Sequence, residues 1–322
     1  SNLSTMDGRD LVMPRIGFNW QWRPETTIYG GWGLFGGGTP NVWISNSFSN
    51  DGVTVVQTNV SATTNAFLAP IALFDMNGYD IPPEVQAYHA TLRGDGPVNA
   101  VDPDFEVPSQ YRWNLGIKHT LPWDIQMSAD VIISDVKDEV LWQDIRLVQT
   151  GTAPDGRPRY SPAVDGRTSS TIQDFLLTNT SGGDGEVYSV DFTKTWRTGA
   201  GRFDAYLGYG YQNVHDVNPG TSSTASSNWD RLAVADPNNP KLSTSNYEIE
   251  HQIKGQFTWR KAFFGDYETG IALVGERRSG RPYSFTFGGG TPQSVWGDPR
   301  QAARQHHLFY VPDGDVIFES MC

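Results

Sequence analysis

The chain has 322 residues and a formal net charge of −12, with charged residues at only 19%; an acidic chain with no basic stripe excludes nucleic-acid binding. Hydrophobic residues at 38%, with 11 Trp, 13 Tyr and 16 Phe, exclude a disordered polypeptide. No run approaches the roughly 18 apolar residues of a membrane helix, since the longest, Ala66 to Phe74, is short and contains a proline; a helical membrane protein is excluded.

Ser1 to Met6 show neither an initiator methionine nor the basic and apolar regions of a signal peptide, so the chain reads as a mature or internal segment. The single Cys322 excludes an intramolecular disulfide. Ile16, Phe18, Trp20 and Trp22 alternate with Arg15, Asn19 and Gln21, the period of a strand with one apolar and one polar face. Gly31 to Gly36 satisfy GxGxxG, but Gly37, Gly38 and Pro40 follow, so no helix opens there to receive a dinucleotide. Small residues at a strand tip are the better reading. Within the long stretch that follows, Pro83 to Leu92 is the one plausible helix, started by Pro82-Pro83 and stopped by Gly94. Asp102 and Asp104 suit either a shared Ca²⁺ or, better, a cap and turn at the Asp-Pro step.

Strong alternation returns at Tyr111 to Leu121, Ile125 to Ser134, Tyr188 to Trp196, Phe203 to Tyr211 and Ile253 to Phe263, giving about nine countable strands in all. Arg23 to Glu25, Pro122 to Asp124, Arg197 to Gly201 and Phe264 to Asp266 are tight turns. Between them lie long polar loops at about 36–108, 148–171, 218–246 and 288–305. Strict alternation of short and long connections is the habit of outer-membrane barrels, with short turns on one rim and long extracellular loops on the other. Trp and Tyr at the strand ends fit interfacial girdles. The predicted fold is all-β, a transmembrane antiparallel β-barrel formed by residues 1–322 as one segment. The alternatives are a secreted sandwich or propeller that binds or acts on carbohydrate, and a surface scaffold barrel without transport.

Several segments resemble TonB-dependent outer-membrane receptors of the Oar-like subgroup: Asp7 to Leu11 running into Pro14 to Trp20, Gly30 to Phe35, Pro40 to Asn46, Asp102 to Phe105 with Pro108 to Gln110, Thr221 to Trp229, Phe263 to Tyr267 and Gly275 to Ser284. They follow one another in order over nearly the whole chain. The resemblance implies transport of a substrate too large for porins, through a barrel of 22 strands of which this chain would be an arc. It also implies partnership with the TonB complex through a plug domain, and neither plug nor TonB-contacting box is recognisable here.

On this reading the lipid-facing residues include Phe18, Leu115, Ile117, Val131, Val190, Phe192, Leu207 and Phe257, and the aromatic girdle includes Trp20, Trp22, Trp113, Trp196, Tyr209, Tyr211 and Trp259. The partners are outer-membrane lipid and lipopolysaccharide, the latter near Arg277, Arg278 and Arg281, although pairing with loop acids is the simpler role for these arginines. No catalytic, cofactor or metal residues are assigned, and the chain is read as no enzyme: no GxSxG elbow is present, and the adjacent His306 and His307 would point to opposite faces of a strand. An incomplete barrel should leave the Ile16 strand and the strand near Tyr310 with unpaired edges.

Overall fold

In a computed structural model the described residues are 7–36, 41–52, 82–91, 98–153, 155–162, 174–286 and 308. The strands are, in chain order, β1 (Arg15–Arg23), β2 (Thr26–Gly36), β3 (Val98–Val101), β4 (Ser109–Leu121), β5 (Ile125–Asp144), β6 (Leu147–Thr152), β7 (Pro158–Pro162), β8 (Asp174–Thr180), β9 (Gly183–Thr198), β10 (Gly201–Asp216), β11 (Ser243–Thr244), β12 (His251–Phe264) and β13 (Tyr267–Arg278). The segments with period-two alternation form a meander of antiparallel neighbours, β1-β2-β4-β5-β9-β10-β12-β13, which we term the wall. Four tight connections lie at one end of the wall, and three long excursions leave the other. At Pro122–Asp124 both Trp123 and Asp124 are left-handed, with φ of 65° and 59°, the twist a short hairpin turn demands. Among the described residues β1 pairs only with β2 and β13 only with β12, so the two edges do not meet. The strand expected near Tyr310, the His306–His307 pair, the apolar run Ala66 to Phe74 and the loop 288–305 lie outside the described residues.

The wall carries almost none of the core. Its buried hydrophobic cluster comprises Ile44, Val101, Phe105, Val140, Trp142, Leu147, Phe175, Leu177, Ala225 and Trp229, and it sits past the open ends of the strands. β5 continues well beyond Ser134, and its segment Glu139–Asp144 leaves β9 to pair with β8. The other edge of β8 pairs in parallel with β3, β11 extends the end of β10, and β6 and β7 form a separate hairpin. The long connections are therefore not simply polar loops. They fold into a cap with its own core, whose burial of two tryptophans and two phenylalanines is the main term holding it.

The expectation of one helix near Pro83 to Leu92 needs correction. A helix does span Pro83–Thr91, but Asn41–Ser49 and Ala225–Asp230 are helical too. Neither has a sequence signature. Asn41–Ser49 buries only Ile44 and Ser47, and Ala225–Asp230 is six residues, too short to display a helical period. Both are held by the cap: Trp43 packs edge-on against Trp142 at 5.0 Å and donates from Nε1 to the Ser222 carbonyl at 2.7 Å.

Gly116 shows why the wall needs glycine at one mid-strand position. A Cβ built there would lie 2.4 Å from the Tyr29 ring and 2.4 Å from Asp130 Oδ1. The bare backbone lets Tyr29 lie across β4 and donate its hydroxyl proton to Asp130 at 2.5 Å. Gly116→Val should push both groups away, at the typical overpacking cost of about 1–3 kcal/mol. Unfolding from lipid vesicles in urea measures it, and Gly275→Val, at a site with nothing within 4 Å, serves as the control.

Candidate functional site

Register decides which side chains share a face. Across the wall, Phe18 opposes Gly30, Gly30 opposes Leu115, Leu115 opposes Val131, and Val131 opposes Tyr188. One turn of the ladder away, Ile117, Ala129, Val190, Tyr209 and Ile253 form another row. Met127, Phe192 and Leu207 continue it, and Phe257 opposes Ala205. Phe18, Leu115, Ile117, Val131, Val190, Phe192, Leu207 and Phe257 thus lie on one face of the wall. That face lacks a covering layer among the described residues: Leu115 is 55% exposed, Leu207 54% and Leu273 68%. A soluble sandwich would bury these positions.

Aromatic rings band both ends of this face. Toward the tight turns, Trp20 and Trp22 lie 6.4 Å apart, Trp196 stacks on Phe203 at 5.3 Å, and Trp259 meets Phe263 at 5.9 Å. Toward the cap, Trp32 stacks on Tyr111 at 5.9 Å, Tyr111 lies 6.3 Å from Trp113, and Tyr188 lies 6.0 Å from Tyr211. Tyr209 shares a 2.9 Å hydrogen bond with His251 Nδ1. From Trp196 to Tyr188 is eight residues of β9, about 26 Å along a strand. A tilt of about 40° reduces that to about 20 Å of height, close to the apolar band of an outer-membrane barrel.

The opposite face is polar and internally bonded. Asp130 accepts from Tyr29 and, at 3.2 Å, from Ser128, while Lys118 lies 5.4 Å from the Tyr29 ring centre. Asp204 accepts from Thr195 at 2.7 Å, Arg202 at 3.0 Å and Arg260 at 3.1 Å. Gln252 donates to Glu276 at 2.7 Å. A row of such groups crosses neighbouring strands and sets a charged, hydrogen-bonding surface against the apolar one.

In the cap, Asn238 is the hub. Its Oδ1 accepts from Trp229 Nε1 and from the Asp144 amide, both at 2.9 Å, and its Nδ2 donates to the Asp144 carbonyl at 2.9 Å. Its own carbonyl accepts from Gln143 at 3.0 Å. Asp102 takes the turn role: Oδ1 accepts the Asp104 amide at 3.0 Å and closes the turn after β3, while Oδ2 accepts from the Thr178 hydroxyl at 2.7 Å and ties that turn to β8.

These bonds make the cap respond to acid in two directions. The Asp104 amide, then the Thr178 hydroxyl, hold Asp102 below the ordinary carboxylate range. Burial raises Glu139, with the nearby Asp216 charge adding to it, and burial also raises Asp216. The Asp102 contribution is present above its ordinary 3.8 and is lost as pH falls through the lowered folded value. Glu139 works oppositely: the cap gains stability as pH falls through the raised value, and the gain is complete at the ordinary 4.5. Asp216 works in the same direction as Glu139, so the three carboxylates together make the cap lose stability both in strong acid and on the alkaline side of the ordinary carboxylate range. Glu139→Gln should remove much of the decline on the alkaline side, as followed by hydrogen exchange of the Trp142 and Leu177 amides over pH.

The family-level comparison decides the class: a family described as "Outer membrane beta barrel domain" matches residues 2–302. The chain belongs to this family. Comparison with curated proteins gave no match. The chain is thus an outer-membrane β-barrel protein of the antiparallel all-β class, and its location is the bacterial outer membrane.

Within this outer-membrane barrel domain, Trp20, Trp113, Trp196, Tyr209, Tyr211 and Trp259 lie on the apolar face by register, and Trp22 lies in the β1 bulge 6.4 Å from Trp20; Trp32, Tyr188, Phe203, His251 and Phe263 join these aromatic rings. Trp32 was legible in principle, because it is in phase with Ile28 and Leu34; the glycine run around it obscured the alternation. The GxGxxG glycines lie in β2, paired to β1 and β4. The three arginines do not converge. Arg278 faces Glu276 at 3.9 Å, Arg281 lies 5.8 Å from the Tyr247 ring centre, and Arg277 belongs to the row of the apolar face.

Proposed function

We propose that this outer-membrane barrel is a TonB-dependent transporter of the Oar-like subgroup, and that the chain forms an arc of a 22-stranded wall. The ordered resemblance from Asp7 to Ser284 carries the reading. The two-faced wall supports it: the apolar face meets lipid between the two aromatic bands, and the polar face lines the passage for a substrate too large for porins. The cap stands outside the cell, near lipopolysaccharide, and the tight turns face the periplasm, where a plug domain would engage the TonB complex. We assign the protein the role of a conduit, with no catalytic residues.

Two measurements test this. Protease added to intact cells should cut within 218–246 and spare the turns at Pro24, Asp124 and Gly265; cuts at those turns instead would invert the topology. Uptake of the substrate should stop when the proton-motive force that drives the TonB complex is collapsed. Uptake that continues unchanged would leave a passive pore or a scaffold.

A further inference from the structure

On the polar face a groove of about 210 Å³ crosses β9, β10 and β12. Its floor is glycine: Gly208 opposes Asp191 on one side and Lys254 on the other. Next along β10, Gly210 opposes Ser189 and Gln252 in the same way. A Cβ on Gly208 would stand 2.4 Å from the Tyr206 hydroxyl, so that hydroxyl lies over the floor between the two charges. Asp191 and Lys254 are two strand spacings apart, about 10 Å between Cα atoms. Among the described residues neither makes an ion pair or a hydrogen bond, while the neighbouring charges Asp204, Arg202, Arg260 and Glu276 are all engaged. Gln252 donates one amide proton to Glu276 and retains its carbonyl oxygen as an acceptor.

We propose that this groove is a subsite for a short zwitterionic peptide, its ammonium end on Asp191, its carboxylate on Lys254 and its amide between them against the Tyr206 hydroxyl. The opposite charges set the ligand's two ends. A chain of two or three residues lies within reach. The open floor at Gly210 matters because a peptide backbone must approach the sheet closely to use Ser189 and Gln252 at the same time. This deepens the transport reading, and rests on it for the polar face being the lumen.

Titration calorimetry on the intact protein, extracted from outer membranes in detergent, tests it with diglycine and triglycine as probes. One or both should bind, and N-acetylation or C-amidation should each weaken binding by tenfold or more. Asp191→Asn should abolish the sensitivity to N-acetylation, and Lys254→Gln the sensitivity to C-amidation. Gly210→Leu fills open floor, since nothing but a carbonyl at 3.9 Å lies near its Cβ, and should remove binding without loss of heat-modifiable mobility. Absence of heat with both peptides from a properly folded barrel overturns the proposal. So does equal binding of the doubly blocked peptide, or binding indifferent to both charge substitutions. If the peptides bind but uptake ignores the proton-motive force, the transport reading fails and the subsite stands.

Discussion

Leu115→Arg, or Val131→Arg, should lower the stability of the barrel in lipid vesicles by about 2–4 kcal/mol, the cost of an arginine near the bilayer midplane on a barrel's outer surface. Leu115 and Val131 are direct cross-strand partners and lie between the two aromatic bands. Arginine at either has no nearby wet rim to reach. Asn114→Arg provides the contrast: it is one residue away, on the polar face, where an added cation meets water and other polar groups. Its effect should stay within about 0.5 kcal/mol, as for a surface substitution. Urea titration after refolding into vesicles separates the two, and equal losses at Leu115 and Asn114 would mean that both faces meet the same medium.

Trp229→Ala should cost the cap about 3–5 kcal/mol, as expected for truncating a buried large aromatic, while leaving the wall folded. Trp229 is 2% exposed, lies 5.8 Å from Phe175 and donates to Asn238. Its loss opens a cavity and also loosens the bonds by which Asn238 holds Asp144. Amides of Val140–Asp144 and Phe175–Leu177 should then exchange faster, with those around Leu115 and Val190 unchanged. Parallel acceleration in both regions would show one cooperative unit in place of a wall with a separately stabilised cap.

These two sites mark how far the sequence could be read. Around Leu115 every second residue meets one medium, so the alternation prints itself on the chain and shows strand, face and phase together. At Val140, Leu141 and Trp142 the same strand enters the cap, both of its faces are covered, and consecutive apolar residues replace the alternation. That is why period two alone ends β5 at Ser134, ten residues before its end at Asp144. Phe105, Phe175 and Trp229 come from connections far apart in sequence: Phe105 and Trp229 each stand between polar neighbours, and Phe175 opens a run of only three apolar residues, Phe175–Leu177. Only their convergence in space makes a core, and no local period records it. The polar groove was silent for a related reason. Asp191, Gly208 and Lys254 are three unremarkable residues on three strands, and it is register that sets them in a row.

The central claim is that one face of the wall meets lipid and the other water. Its most direct measurement is a scan of single fluorescent labels along β4, from Trp113 to Lys118, in a Cys322→Ser background reconstituted with brominated lipid. The account predicts quenching with period two, with Gly116 left unlabelled because a side chain there would displace Tyr29: strong at 113, 115 and 117, and weak at 114 and 118, where a water-soluble quencher acts instead. A profile without that period, or one in the opposite phase, would contradict it.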